Sequence, residues 1–415
     1  MGLNPLRNAH QTIRDGHHIL LLEGGKEYFA ALMAAVDSAH NHVHLETYIF
    51  DFYGAGAEVA EALMRAAKRG VRVWVVVDGV GSRALTEDWR QRLVQAGVDW
   101  RVYSPLSTLG LLIPSRWRRL HRKLCVVDGR VAFCGGINIL DDFYDPERGA
   151  LEKPRLDFAV SATGALVQQV QETTIQLWWR MQAVRQVREH QFPQAYSSFK
   201  AAGLHMPWTE SEEKDSSPHR LARAGLLLRD NWLRRGQIEK AYCKAIGLAR
   251  QDIVIANAYF VPGRKVRQAL IHAASRGVRV RLLLQGRYEY FMQFHAVRPV
   301  YGALLAAGVE IHEYTASFLH AKVAAIDAHH DRPWATVGSS NLEPISLLMA
   351  REANVVVADG PFAQQLQARL VKAIEQESIP VAAAAFADRP RLQRALDWVA
   401  YGLMRLALIL TGKRY

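Results

Sequence analysis

The run LHRKLCVVD at residues 120–128 sets a histidine and a lysine two apart and closes on an aspartate. Side chains at i and i+2 of a β-strand leave the same face, so His121 and Lys123 are expected to project together, with residues 124–127 as the buried remainder of the strand. LHAKVAAID at 319–327 repeats the set as His320, Lys322 and Asp327. Each copy runs on to a glycine and, three residues later, an asparagine: GGIN ends at Asn138 and GSSN at Asn341. One His-x-Lys-x4-Asp is a weak pattern, but two copies at equivalent points of a repeated chain point to catalysis.

Chemistry that uses these groups in pairs is the cleavage or transfer of a phosphodiester. It needs a nucleophile, a proton donor for the leaving oxygen, and cations for a phosphoryl group whose oxygens gain charge. One imidazole can attack phosphorus while the other protonates the leaving alcohol and then deprotonates the incoming one, since imidazole titrates near neutrality. Lys123 and Lys322 can clamp the nonbridging oxygens, and Asn138 and Asn341 can donate amide hydrogens to them. Asp128 and Asp327 are candidate orienters of the two imidazoles. The expected site is single and lies where two halves of the chain meet.

Those halves are a tandem repeat. ALMRAAKRGVRVWVVVDG (62–79) matches ALIHAASRGVRVRLLLQG (269–286), LETYIFD (45–51) pairs with ANAYFVP (256–262), and LVQAGVDWRVY (93–103) pairs with LLAAGVEIHEY (304–314). Each half reads strand, helix, RGV turn, strand, helix, AGV turn, strand, an alternation that predicts an α/β fold with a mostly parallel sheet under helices. At 415 residues, half of them hydrophobic, the chain has ample material for such cores. Its 52 Lys and Arg against 40 Asp and Glu fit an anionic partner such as nucleic acid or a phospholipid surface. Three cysteines make no disulfide framework, and Cys125 and Cys134 fall in apolar strands where a reduced, buried thiol is expected. The first 25 residues do not read as a signal peptide, and no apolar stretch reaches the length of a membrane span. Adjacent histidines at 17–18 and 329–330 lack zinc-ligand spacing and read as loop residues; LLEGGKEYF lacks a nucleotide-cradling pattern.

With its two His/Lys/Asp sets, each followed by an asparagine, the chain resembles the phospholipase D superfamily. LETYIF, IVIANAYFVPG, RGVRV, WRRLHRK and WATVGSSNLEPISL make it most similar to bacterial cardiolipin synthases of the B type, over roughly residues 18–375. The resemblance implies two tandem phospholipase D-like α/β sandwich domains, with mixed, mostly parallel sheets flanked by helices, forming one pseudo-twofold active site. It divides the chain into a first domain (1–205), a polar linker (206–222), a second domain (223–380) and a C-terminal amphipathic segment (381–415). It further implies a two-step transfer without metal or cofactor. A phosphatidyl group passes from phosphatidylglycerol to His121, with His320 as acid and base, and then to the hydroxyl of a second phosphatidylglycerol. By the same resemblance Glu352, in AREANVVV, and its counterpart Asp157, in RLDFAV, brace the histidines. Relatives commonly carry Ser after the motif glycine in both copies; here Ser339 keeps it and Gly136 does not, so no side-chain role is assigned at 136.

Membrane contact is read from two stretches. Following Pro390, Leu392, Leu396, Val399, Leu403, Leu406 and Leu410 recur at helical steps, with Arg391, Arg394, Asp397 and Arg405 off that face and Trp398 and Tyr401 beside it. Such a helix suits the plane of an anionic bilayer, with packing onto the protein's own core as the alternative. LGLLIPSRWRRLHRK adds Arg116, Trp117, Arg118, Arg119 and Arg122 beside the first motif, as a lipid-entry lip or a solvated charge run. The expected setting is peripheral, on the cytoplasmic side of a bacterial inner membrane, with anionic phospholipid as partner. A hydrolase using water as acceptor and a nuclease would employ the same residues. Nucleic acid is not expected, because no aromatic-interleaved basic groove is evident.

Overall fold

The computed structural model describes residues 13–82, 85–105, 118–145, 148–203, 221–230, 234–287, 291–343, 350–387 and 389–410. The first half runs β1 (Arg14–Glu23), α1 (Gly24–Asp37), β2 (His42–Thr47), α2 (Ala55–Lys68), β3 (Arg72–Asp78), α3 (Glu87–Ala96), β4 (Val98–Tyr103), β5 (Arg119–Leu120), β6 (Lys123–Val127), β7 (Val131–Gly135), β8 (Tyr144–Asp145), β9 (Gly149–Ala150), β10 (Phe158–Gly164), α4 (Ala165–Arg188) and α5 (Phe192–Gly203). The second runs β11 (Ala222–Arg229), α6 (Gln237–Leu248), β12 (Asp252–Asn257), α7 (Arg264–Ser275), β13 (Arg279–Gln285), α8 (Phe291–Ala306), β14 (Glu310–Tyr314), β15 (Lys322–Ile326), β16 (Trp334–Gly338), β17 (Ala350–Val357), α9 (Gly360–Gln376), β18 (Ser378–Pro380), α10 (Ala383–Ala387) and α11 (Arg391–Leu410). Most of the linker expected at 206–222 lies outside the described residues, and β11 begins inside its last residue.

The RGV turns are helix stops. Gly70 and Gly277 take φ of +91° and +86°, which a glycine adopts without steric cost, and the valine that follows returns its N–H to a carbonyl in the last helical turn: Val71 to Ala66 and Val278 to Ala273. That fixes where each helix ends and where β3 and β13 begin. These strands, VWVVV and VRLLL, are almost wholly buried, as central strands covered by helices must be.

The sheet is one continuous mixed sheet. In the first half the order is β1-β10-β7-β6-β2-β3-β4, and in the second β11-β17-β16-β15-β12-β13-β14, with β18 at the far edge; an antiparallel β1–β11 pair joins them. The expectation of a mostly parallel sheet needs correction. Within the two halves' orders, parallel pairing is confined to β2-β3-β4 and β12-β13-β14, the strands linked by helical crossovers, while the motif strands are antiparallel hairpins. The RGVRV and AGV identities of the repeat mark the crossover strands of each half. An apolar cluster draws Val126, Phe158 and Val160 together with Val323, Val337, Val355 and Leu366, so the halves share a core. Each such fully buried side chain contributes about 1.5–3 kcal/mol.

Register also shifts one pairing of the repeat. Val43 lies opposite Val127 and Ile253 opposite Ile326, the residues just before Asp128 and Asp327. Tyr48 therefore matches Ala258, one residue from where the sequence comparison put it.

α11 packs against α8 with the polar side inward. Asp397, expected on the solvent face, is 3 % exposed; His295 Nδ1 and Arg389 Nη1 each donate to its carboxylate at 2.7 Å. Ala400 is buried beside it, whereas Leu392, Trp398, Val399 and Leu403 are exposed. The side chain of Arg405 lies outside the described residues. No described helix is long and apolar enough to cross a membrane.

Candidate active site

Each motif histidine stands just before its strand, β6 or β15, and is held by the opposite half. His121 N–H donates to the Arg351 carbonyl (3.0 Å), and His320 N–H to the Leu156 carbonyl (2.9 Å). The next residue after each carbonyl is the carboxylate that takes the ring. His121 Nδ1 lies 3.1 Å from Glu352 Oε1, and His320 Nδ1 lies 2.6 Å from Asp157 Oδ2. The contacts are crossed: Glu352 of the second half touches His121 of the first, and Asp157 of the first touches His320 of the second.

The same contacts fix a tautomer. His121 Nδ1 also lies 3.1 Å from the Ser339 carbonyl, which can only accept, so Nδ1 carries the hydrogen and Nε2 keeps a lone pair. His320 has the corresponding backbone partner in Gly136. Lys123 Nζ donates to the His121 carbonyl at 2.8 Å and Lys322 Nζ to the His320 carbonyl, so the two buried ammonium groups sit at the bases of the two imidazoles. Burial, followed by the mutual repulsion of the lysines, lowers the Lys123 pKa. Burial and then the lysines push both histidines well below the ordinary imidazole range. A cluster so short of negative charge is suited to an anion, which would relieve that repulsion.

The two carboxylates differ. Glu352 pairs with Arg229 of β11, both fully buried. Asp157 is pushed up to about 7 by burial, against the pull of Lys322. Behind it Asp142 is also raised, to about 6, by burial and, after the opposing Gly25 N–H bond, by Asp157. Asp157 and Gly136 fit each other: a Cβ at 136 would collide with the Asp157 carboxylate, which accounts for glycine where Ser339 stands in the other half.

Asp128 and Asp327 do not orient the histidines. They lie at the far ends of β6 and β15, in the left-handed region (φ +51° and +50°) that Asp tolerates. Asp128 accepts the backbone N–H groups of His40, Asn41 and His42, and Asp327 those of Arg250, Gln251 and Asp252. A five-residue strand spans roughly 16 Å, so a residue beyond its end cannot reach one before its start. Asn138 uses its Oδ1 to accept from Ile49 N–H, and Asn341 is buried with an Oδ1 that has no partner among the described residues.

The basic run before the first motif is partly internal. Arg119 pairs with the buried Asp78, and Arg122 makes a two-pronged pair with Glu46 in which both side chains are 2 % exposed, so neither belongs to a lipid-facing lip. Arg118 is half-buried, and Arg116 and Trp117 lie outside the described residues. Two neighbours escaped sequence reasoning. Tyr48 stands 5.0 Å from the His121 ring, with Lys123 Nζ 5.4 Å from its centre. Arg229 was legible only as a charge interrupting the apolar run GLLLR, a position where a buried partner is required.

Comparison with known proteins agrees with this geometry. The family model for "Cardiolipin synthase, PLD-like domain" matches residues 32–146 and 242–374. Cardiolipin synthase B of Escherichia coli (strain K12) is 36% identical over 369 residues, covering 86% of this chain and 80% of that protein. Cardiolipin synthase of Halalkalibacterium halodurans is 31% identical over 350 residues, covering 84% of this chain and 64% of that protein. The fold is shared with the phosphatidylserine synthase of Haemophilus influenzae Rd KW20, at a TM-score of 0.66 and 11% identity over 94% of both chains. A duplicated half, one site between the copies and relatives of this identity along most of its length together mean that the chain belongs to the cardiolipin synthase family of phospholipase D-like proteins.

Proposed function

We propose that this protein is a phosphatidyltransferase that makes cardiolipin: it moves a phosphatidyl group from one phosphatidylglycerol to a hydroxyl of another and releases glycerol. The observation that carries the reading is the crossed clamp, in which each half ties down Nδ1 of the other's histidine and leaves Nε2 to act. His121 Nε2 attacks phosphorus; the N–P bond forms as the P–O bond to glycerol breaks, and His320 gives its Nε2 proton to the departing oxygen. The second phosphatidylglycerol then loses its hydroxyl proton to His320 as its oxygen displaces His121. Lys123 and Lys322 offset the charge gathering on the nonbridging oxygens. Glycerol and the acceptor's headgroup are chemically alike, so one acid/base can serve both steps.

We place the enzyme at the cytoplasmic face of the bacterial inner membrane as a peripheral protein. The reading is supported by α11, where burial of Asp397 turns Leu392, Trp398, Val399 and Leu403 outward. In flotation assays, removal of residues 391–415 is expected to reduce binding to phosphatidylglycerol vesicles while leaving turnover of detergent-dispersed lipid; unchanged flotation would refute this use of the helix.

The test of the reaction is incubation with phosphatidylglycerol vesicles in EDTA and identification of products by mass spectrometry. Cardiolipin with free glycerol is the expected result. Phosphatidic acid alone would make water the acceptor and the protein a phospholipase, and no lipid product would overturn the assignment.

A further inference from the structure

The two sides of the site share lysines, tautomers and backbone clamps, but not what stands behind the carboxylate. In β11, Arg229 lies opposite Glu352, and its guanidinium pairs with that carboxylate. The equivalent place in the first half follows from the register. Leu22 pairs with Ala159 and Glu23 with Phe158, and Gly24 N–H donates to the Asp157 carbonyl at 2.9 Å, so Gly24 holds the position that Arg229 holds in the second half. It cannot be an arginine: its φ is +66°, and a Cβ would press on the Asp142 carboxylate. Thus Glu352 is backed by a cation and Asp157 by another acid. Arg155, the cation on that side, is bound to Asp145 and to the carbonyls of Asp141 and Tyr144.

We propose that Arg229 is a positioning residue that divides the labour between the histidines, cancelling the charge of Glu352 so that His121 enters the reaction as unprotonated nucleophile and the proton is left to His320. The proposal rests on the phosphatidyl-transfer reading above. A nucleophile needs a lone pair at Nε2, and a carboxylate hydrogen-bonded to the other nitrogen favours imidazolium unless its charge is met elsewhere. Arginine meets it at every working pH, because guanidinium does not deprotonate. The groups facing His121 are Glu352 and Arg229 from β17 and β11, Lys123 from β6, Lys322 and His320 from the second motif, and the Tyr48 ring. Lys123 and Lys322 act on both histidines alike, whereas Arg229, paired with Glu352, acts on His121, and Arg155, bound to Asp145 rather than to Asp157, acts on His320. Asp157 has no arginine paired to it, because Arg155 is engaged by Asp145 and two carbonyls, so once the charge of the phosphodiester offsets the lysines it is the carboxylate that can hold an imidazolium at His320.

The test is the pH profile of kcat/KM on phosphatidylglycerol in mixed micelles, whose acidic limb reports protonation of the nucleophile in the free enzyme. Arg229→Gln is expected to move that limb upward by about one pH unit, so that its loss relative to wild type is smallest at pH 8.5 and grows toward about tenfold as pH falls below the wild-type limb. Arg229→Lys is expected to return it. In Arg229→Gln/Glu352→Gln the charge pair is gone as a unit, and the limb is expected at or below its wild-type position; this variant and the lysine variant carry the test where the single glutamine does not fold. Equal loss at all pH values in Arg229→Gln, with the lysine variant no better, would overturn the proposal and leave Arg229 a structural residue. Alkaline quenching of wild type with peptide mass spectrometry separates the two levels. Phosphatidyl on His121 is expected; phosphatidyl on His320 would overturn the division of labour alone, and absence of both adduct and cardiolipin would overturn the transfer reading beneath it.

Discussion

On one side of the site His121 is held by Glu352, with Arg229 behind the carboxylate and the Tyr48 ring beside the imidazole; on the other His320 is held by Asp157, with Gly24 and Ala258 at the matching places. Backbone geometry is the same on both sides, down to the N–H of each histidine and the carbonyl that receives it. Duplication therefore preserved the frame, while the side chains around it diverged. Two identical halves would present two equivalent histidines, but a transfer through a covalent intermediate needs one imidazole without a proton and one with it. The differences in side chain are where that inequality can arise, since a main chain repeated by symmetry cannot supply it.

The largest effect expected is the loss of either histidine, and it can break or establish the inequality. His121→Ala and His320→Ala should each reduce transfer between phosphatidylglycerols by about 10⁴-fold or more, as removal of a nucleophile or its partner does in other covalent enzymes. A phosphatidyl ester of p-nitrophenol separates them, because nitrophenolate leaves without a proton. His320→Ala should then still give a burst of nitrophenolate equal to the enzyme present, and His121→Ala none. A burst from the His121 variant, and none from its counterpart, would exchange the roles.

Exchanging the carboxylates for amides comes next. Glu352→Gln strands the buried Arg229, and breaking a buried pair from one side costs about 3–5 kcal/mol, visible in denaturant unfolding. Asp157→Asn strands no arginine, and its effect on stability carries a pH signature. The folded carboxyl titrates at about 7, above its unfolded value, so the folded wild type holds its proton more tightly and loses stability as pH rises from about 4 to 7. The asparagine variant loses nothing there. Its melting temperature relative to wild type should rise across that interval and level off above it; a difference independent of pH would show that Asp157 is not the titrating member of the pair.

Much of this frame was legible in the chain. The two HxK sets stood out because polar residues persisted where the rest of the repeat had drifted, and RGV and AGV marked helix ends through glycines that only a left-handed turn requires. What sequence could not supply was partnership across the sheet. Asp128 shares a motif with His121 but belongs to the turn at the opposite end of β6, whereas Glu352, 231 residues away, is the group that touches the ring. Arg119 and Arg122 read as part of a basic surface because adjacency along a chain says nothing about which way successive side chains point, and both are directed to buried acids. The one-residue shift that separates Tyr48 from Tyr259 is set by strand register, and identical letters at a wrong register mislead.

The smallest effect expected on catalysis is at the motif aspartates, whose contacts are the same in the two halves. Each caps three consecutive backbone N–H groups of a facing loop, and for Asp128 those bonds overcome burial and hold the carboxyl below its usual range. Asp128→Ala should cost about 1–3 kcal/mol near neutrality, because three backbone donors lose a charged acceptor. A depressed carboxyl contributes above its unfolded pKa and ceases to contribute as pH falls through the folded one, so the cost should shrink below pH of about 4. Below the variant's melting temperature, kcat should remain within a few-fold of wild type, and Asp327→Ala should behave in the same way. If instead kcat collapsed in a variant that was still fully folded, each aspartate would have to act on its histidine along the length of a strand, and the crossed carboxylates would no longer suffice to orient the rings.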